Sequence, residues 1–176
     1  MVYCAISRGT AVRRRRSGGN AIVESAFTII PLFALIFAFA DLGLMLFRWS
    51  TLQNAVREGC RYAITFQTTG GRGQDGSIGL IVEKYALGVV RTTDSPKHIF
   101  VTYYSTSSPT TPITTGGNIP GNIIEVSVQN VSWAWMAPLS GKLVINPFYA
   151  LTPFRLNVYS SDILGGYPAG VSAVPR

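Results

Sequence analysis

The sequence predicts an α+β protein: a long N-terminal helix, transmembrane and then amphipathic, packed with a short second helix on a small antiparallel sheet. Three observations carry that reading. Residues 26–40 form an apolar run with no ionisable side chain, and a basic block, Arg13-Arg14-Arg15-Arg16, precedes it. Helical periodicity then continues past the run as a single apolar stripe. Beyond residue 98 the pattern changes to period-two alternation separated by Gly, Pro, Ser and Thr.

Taken in order, residues 1–19 show no hydrophobic period and read as a basic, flexible cytoplasmic leader. Residues 20–47 read as a transmembrane helix, since the stretch exceeds the roughly 20 residues that span a bilayer. Pro31 inside it predicts a kink rather than an end, because neighbouring helices re-satisfy the freed carbonyl. Arg48 and Trp49 suit the outer interface. Residues 48–66 extend the helix, with Trp49, Leu52, Val56, Cys60 and Ala63 on one face and Ser50, Asn54, Arg57 and Arg61 on another. One helix is therefore expected over residues 20–66, about 70 Å long.

An extracytoplasmic α+β domain is expected over residues 67–164. It starts with a loop at 67–76 and a helix at 77–90 that presents Ile78, Ile81, Tyr85 and Val89. The sequence Thr92-Thr93-Asp94-Ser95-Pro96 breaks that helix. A strand is predicted at 99–104 and an unstructured Ser/Thr/Pro/Gly loop at 105–121. Ile124, Val126 and Val128 alternate with Glu125, Ser127 and Gln129 as a half-buried strand. The phase then flips to Val131, Trp133 and Trp135, which predicts a bulge near Asn130. A last strand is expected at 154–158, and the Gly/Pro-rich residues 165–176 read as a flexible tail.

The net charge of +7 suggests nucleic acid until it is located. Five of the fifteen Lys and Arg lie in residues 1–19, and the rest of the chain sets ten bases against eight acids. A basic block beside an apolar helix marks the cytoplasmic side of a membrane. No basic, aromatic-interleaved face follows it, so no nucleic-acid partner is expected.

Enzyme signals are thin, and no catalytic residue, cofactor or metal is expected. His98 is the only histidine and reads as an exposed structural residue at a strand start. Without a second histidine or a paired thiol there is no triad or zinc set. Gly71-Arg72-Gly73-Gln74-Asp75-Gly76 spells G-x-G-x-x-G but follows a helix, so the pyrophosphate-binding context is missing. Asn130-Val131-Ser132 matches a glycosylation sequon, as many strands do. Cys4 and Cys60 lie on opposite sides of the span. Cys60 suits a packed small residue, with an intermolecular disulfide as the alternative.

Glu24 is the residue that asks for a reason. An acid near the middle of an inserted helix costs about 2.5–3.5 kcal/mol. At the cytoplasmic headgroup level it would snorkel at little cost. The functional reading has cleavage after Gly19 expose the amine of Asn20, leaving Glu24 as the fifth mature residue. An ammonium and a carboxylate on neighbouring helices then neutralise each other in low dielectric. Asp41, near the outer end of the span, is a second acid for assembly. It is either hydrated or paired at the interface, where Arg48 lies seven residues on, or paired with a partner subunit. Ala38-Phe39-Ala40 also allows a signal-peptidase cut before Asp41. Glu24 and the continuing apolar residues 42–47 argue against that cut.

Gly19-Asn20-Ala21-Ile22-Val23-Glu24, the Pro-containing apolar helix, Asp41-Leu42-Gly43 and residues 52–63 (LQNAVREGCRYA) together resemble the TadE-like family. These are minor pilins or pseudopilins of bacterial tight-adherence (Flp) pili. The resemblance is specific over residues 13–66 and looser to about 163. It implies removal of the leader at Gly19 by a prepilin peptidase and a single-pass inner-membrane location with the N-terminus cytoplasmic. It also implies assembly with other pilins and with inner-membrane pilus assembly proteins. The alternative is a non-assembling single-pass protein whose outer domain binds a ligand, with Trp133, Trp135, Phe148 and Tyr149 lining the surface.

Overall fold

The structure is a computed structural model and describes residues 18–133, 154–171 and 175–176. Cys4, Arg13 to Arg16, Trp135, Phe148 and Tyr149 lie outside the described residues. The chain divides into two compact units, residues 1–36 and 37–176.

Helix α1 runs Gly18–Ile64, within two residues of expectation at each end, and passes through Pro31. Three of its hydroxyls bond back inside the helix. Ser25 donates to the Ala21 carbonyl at 2.7 Å, Thr28 to Glu24 at 3.2 Å and Thr51 to Phe47 at 2.9 Å. Such back-bonding lets Ser and Thr sit in apolar surroundings without a stranded donor. In the first unit the helix buries none of its large apolar side chains, and Phe27 is 79% exposed.

In the second unit the C-terminal part of α1 becomes one wall of a core. Leu52, Ala55, Val56, Cys60 and Ala63 are buried, and Met45 packs against the same cluster. Trp49, expected on this stripe, is 47% exposed; the buried stripe passes through Met45 and Leu52 instead. Gly59 permits the closest approach. A Cβ there would lie 2.7 Å from Val82 Cγ2 and 3.4 Å from Val126 Cγ1, so α2 and the sheet both press on that point. The helix ends in a turn in which Phe66 adopts φ 51° and buries its ring.

Helix α2 spans Gln74–Tyr85, three residues earlier at its start and five earlier at its end than the sequence predicts. Positive φ at Leu87 and Gly88 turns the chain away before residue 90. The inward face is Gln74, Ile78, Val82 and Ala86 rather than the predicted Ile81 and Tyr85, and Tyr85 is exposed. The i, i+4 spacing runs one residue off the predicted register because Val82, not Ile81, meets Gly59 of α1.

Four antiparallel strands follow: β1 Ile99–Ser105, β2 Ser108–Ile113, β3 Ile123–Trp133 and β4 Phe154–Ile163, in the order β2-β1-β3-β4. Strand β2 corrects the expectation of an unstructured loop at 105–121. It is an exposed edge strand, where Pro109 and Pro112 are tolerated because one side of the strand has no ladder to break. The predicted bulge is present: the β3–β4 register shifts between Val128 and Val131, and Asn130 has φ 61°. Strand β4 continues five residues beyond the predicted 158. The core face carries Ile99 and Tyr103 of β1, Ile124, Val126 and Val128 of β3, and Leu156 and Val158 of β4.

The residues after 164, expected to be a flexible tail, make specific contacts. Tyr167 packs tilted against Phe66, ring centroids 4.6 Å apart, and the Pro175 carbonyl accepts from the Gln74 backbone N–H. Arg176 Nε reaches Asp75 at 2.9 Å.

Candidate functional site

The segment expected to be processed and assembled opens α1. Gly19 is exposed in the first turn, and a Cβ there would meet nothing within 4 Å. Glu24 follows at i+5 and is exposed. One flank of the helix beside its carboxylate is a shallow groove lined by Ala21, Ser25, Thr28 and Ile29. Because Ser25 and Thr28 turn their hydroxyls onto their own helix, Glu24 is the one strongly polar group presented there. Ile22, Val23, Phe27 and Ile30 surround the helix with exposed apolar surface. Such a surface is stable only against lipid or other apolar helices.

Asp41 lies in the second unit and is fully buried. Seven residues on, the Arg48 guanidinium stands over the Trp133 ring, 4.9 Å from its centroid. Trp133 is itself buried, which makes it a core residue rather than part of an exposed binding surface. Cys60 is a free, packed thiol that donates to the Ser160 carbonyl at 3.1 Å. Burial pushes its pKa up, which disfavours the reactive thiolate. His98 Nδ1 is 2.9 Å from the Gln129 carbonyl, at the start of β1.

Two polar clusters escaped sequence reasoning. Asp75 accepts the Tyr103 hydroxyl at 2.7 Å and the Arg176 guanidinium at 2.9 Å, and that guanidinium lies 4.7 Å over the Tyr103 ring. Burial and the Asp75 carboxylate together push the Tyr103 phenol far above its usual range. The partners are 28 and 101 residues apart, so no local pattern announces them. In the second cluster, buried Gln74 donates to the Ala63 carbonyl and accepts from the Asn118 amide, both at 3.0 Å. Both clusters join elements, and Asp75 also lines an open pocket with Arg72, Thr92 and Lys97. Among the described residues no group of three or more His, Cys, Asp or Glu is placed to hold a metal.

The fold and this segment define a class: an α+β domain whose N-terminal helix is long and apolar enough, by length and composition, to cross a membrane. Residues 19–61 match the family model described as TadE-like protein, the family that the sequence motifs resemble. The match points to a tight-adherence pilus-related protein and covers α1 from the candidate processing site to Arg61. No curated protein and no solved structure matches the chain.

Proposed function

We propose that this chain is a TadE-like minor pilin or pseudopilin, held in the inner membrane by α1, cut after Gly19 and assembled through that helix. The observation that carries the reading is the family match beginning at Gly19, with Glu24 five positions on at the head of an exposed apolar helix. The basic leader keeps the N-terminus cytoplasmic, and the α+β domain lies on the other side. A prepilin peptidase removes the leader. The new Asn20 ammonium and the Glu24 carboxylate of a neighbouring chain then neutralise each other, so that neither charge is stranded among packed helices. Other pilins and inner-membrane assembly proteins are the partners, and Asp41 belongs to the same assembling helix. Its role is structural rather than enzymatic.

Glu24→Ala tests the mechanism. Removing the acid leaves insertion unchanged or slightly improved on the transfer scale. It also strands the neighbour's ammonium, at about 3–5 kcal/mol for breaking one side of a buried pair. The variant should insert and be cut to an Asn20 start, yet fail to cross-link to other pilins. Glu24→Asp should be intermediate. Normal assembly of the Ala variant would move Glu24 to a snorkelling residue of a non-assembling anchor.

A further inference from the structure

We infer that the folded domain binds the outer leaflet of the bilayer directly, through the exposed apolar side chains of residues 42–47 of α1 and the strand end at Phe154, which buried Trp133 holds beside Arg48. The inference rests on the membrane-anchor reading above and adds a lipid-contact surface on the domain itself.

The argument begins with what covers α1. Met45 packs against the domain core and Asp41 is fully buried, so protein shields one side of the helix as far as residue 41. On the other side of the same turns Leu42, Leu44, Leu46 and Phe47 are 43–61% exposed. Apolar side chains in that number need lipid, which carries the acyl region outward to about Phe47, where Arg48 and Trp49 suit the headgroups. Asp41 lies seven residues before Arg48, about 10 Å deeper along the axis. The protein that shields Met45 and Asp41 therefore lies at or below headgroup level. A domain held clear of the membrane on a bare stalk does not fit that overlap.

The sheet shows the same level from a second direction. Trp133 and Phe154 are cross-strand partners where β3 ends and β4 begins, and Arg48 stacks on Trp133. That stacking fixes the strand ends beside the helix residue expected at the interface. Phe154 is 48% exposed there and Trp49 47%. Aromatic rings flanking an Arg, continuous with an exposed apolar helix face, have the composition of an interfacial belt. This continuity favours lipid over a second copy of the chain. The β1–β2 turn at Thr106 lies at the opposite end of the sheet, since Tyr104 pairs with Ile123 at the start of β3. It is exposed and polar.

Site-directed spin labelling of the full chain, in a Cys4→Ser/Cys60→Ala background and reconstituted in phosphatidylcholine–phosphatidylglycerol vesicles, tests the inference. Labels at Leu35→Cys, Phe154→Cys and Thr106→Cys report collision with oxygen, which partitions into lipid, and with a nickel chelate, which stays in water. Arg155→Cys repeats the strand-end measurement should the Phe154 variant misfold. Leu35 should be open to oxygen alone. Phe154 should show an oxygen-to-chelate ratio several-fold above that of Thr106. Lipid at Leu35 with water at Phe154 and Arg155 overturns this inference and leaves the anchor reading standing. Water at Leu35 overturns both. Spin–spin broadening at Phe154, with protection from both reagents, overturns it in favour of a second copy.

Discussion

Residues 21–36 and 52–63 belong to one continuous helix and are both rich in apolar side chains, yet they present them differently. In the first stretch Ile22, Phe27, Ile30 and Leu35 point in all directions and are exposed, and the hydroxyls are folded back onto the helix. In the second, apolar residues occupy one stripe, Leu52, Ala55, Val56, Cys60 and Ala63, while Asn54, Arg57 and Arg61 face water. The stripe is complementary to something the chain itself supplies: α2 at Val82 and the sheet at Val126. Among the described residues of its own unit, no second helix or strand covers the all-round pattern. An apolar residue thus stabilises this protein through its own fold in one stretch, and through its surroundings in the other.

A matched pair of substitutions should break the comparison if it is wrong. Leu52→Ala opens a cavity at a fully buried position and should cost about 2–5 kcal/mol. Leu35→Ala, the same chemical change at an exposed position, should leave the domain's unfolding midpoint where it was. Denaturant titration in detergent micelles, followed by the fluorescence of buried Trp133, separates them. Equal effects would mean that the first stretch also packs on the domain.

A second, smaller effect concerns how the striped stretch is terminated. Gln74→Leu keeps the bulk but removes the donor to the Ala63 carbonyl and the acceptor for Asn118. A buried group left without its bond costs about 1–3 kcal/mol. Amide exchange should speed up in the last turn of α1 and the first of α2, and stay unchanged around Gln53. Uniform acceleration would show that Gln74 acts on global stability rather than as a local tie.

The smallest effect lies away from the stripe. Thr92 donates both its N–H and its hydroxyl to Glu83 Oε2, at 3.0 and 2.7 Å, and these bonds hold the Glu83 carboxyl below its usual range. A depressed carboxylate pKa means the unfolded chain binds the proton more readily, so stability from this contact is present above the unfolded pKa, near 4.5. It is lost as pH falls through the folded value. Glu83→Gln should flatten the acid limb of the stability curve slightly, by lowering stability a little at neutral pH and leaving it unchanged in acid. An unchanged acid limb would show that the bond is screened to insignificance at this half-buried site.

Much of the helical stem and most of the sheet were legible because their signals are local. The uncharged run, the stripe at steps of three and four, and the alternation of Ile124, Val126 and Val128 each need only a window of a dozen residues. The phase flip at Asn130 announced its bulge for the same reason. Strand β2 was not legible: two prolines interrupt its six residues, and it exists because β1 offers an edge. Along α2 and just beyond it the sequence placed Ile78 and Val89 against the core but misjudged Ile81 and Tyr85, since Val82 and Ala86 are the residues covered there and Val82 meets Gly59.

The sequence by itself determined where the chain can meet a membrane, where the candidate processing site lies and which acid stands beside it. Charge, hydropathy and the order of residues along the chain suffice for these. Only the tertiary structure decided that Asp41 is buried, that Trp133 stacks under Arg48 and that Asp75, Tyr103 and Arg176 form one cluster. Each of these brings together groups distant in sequence or buries a charge that a hydropathy window reads as exposed. Burial and pairing depend on what other elements deliver to the same place, and no local pattern carries that information.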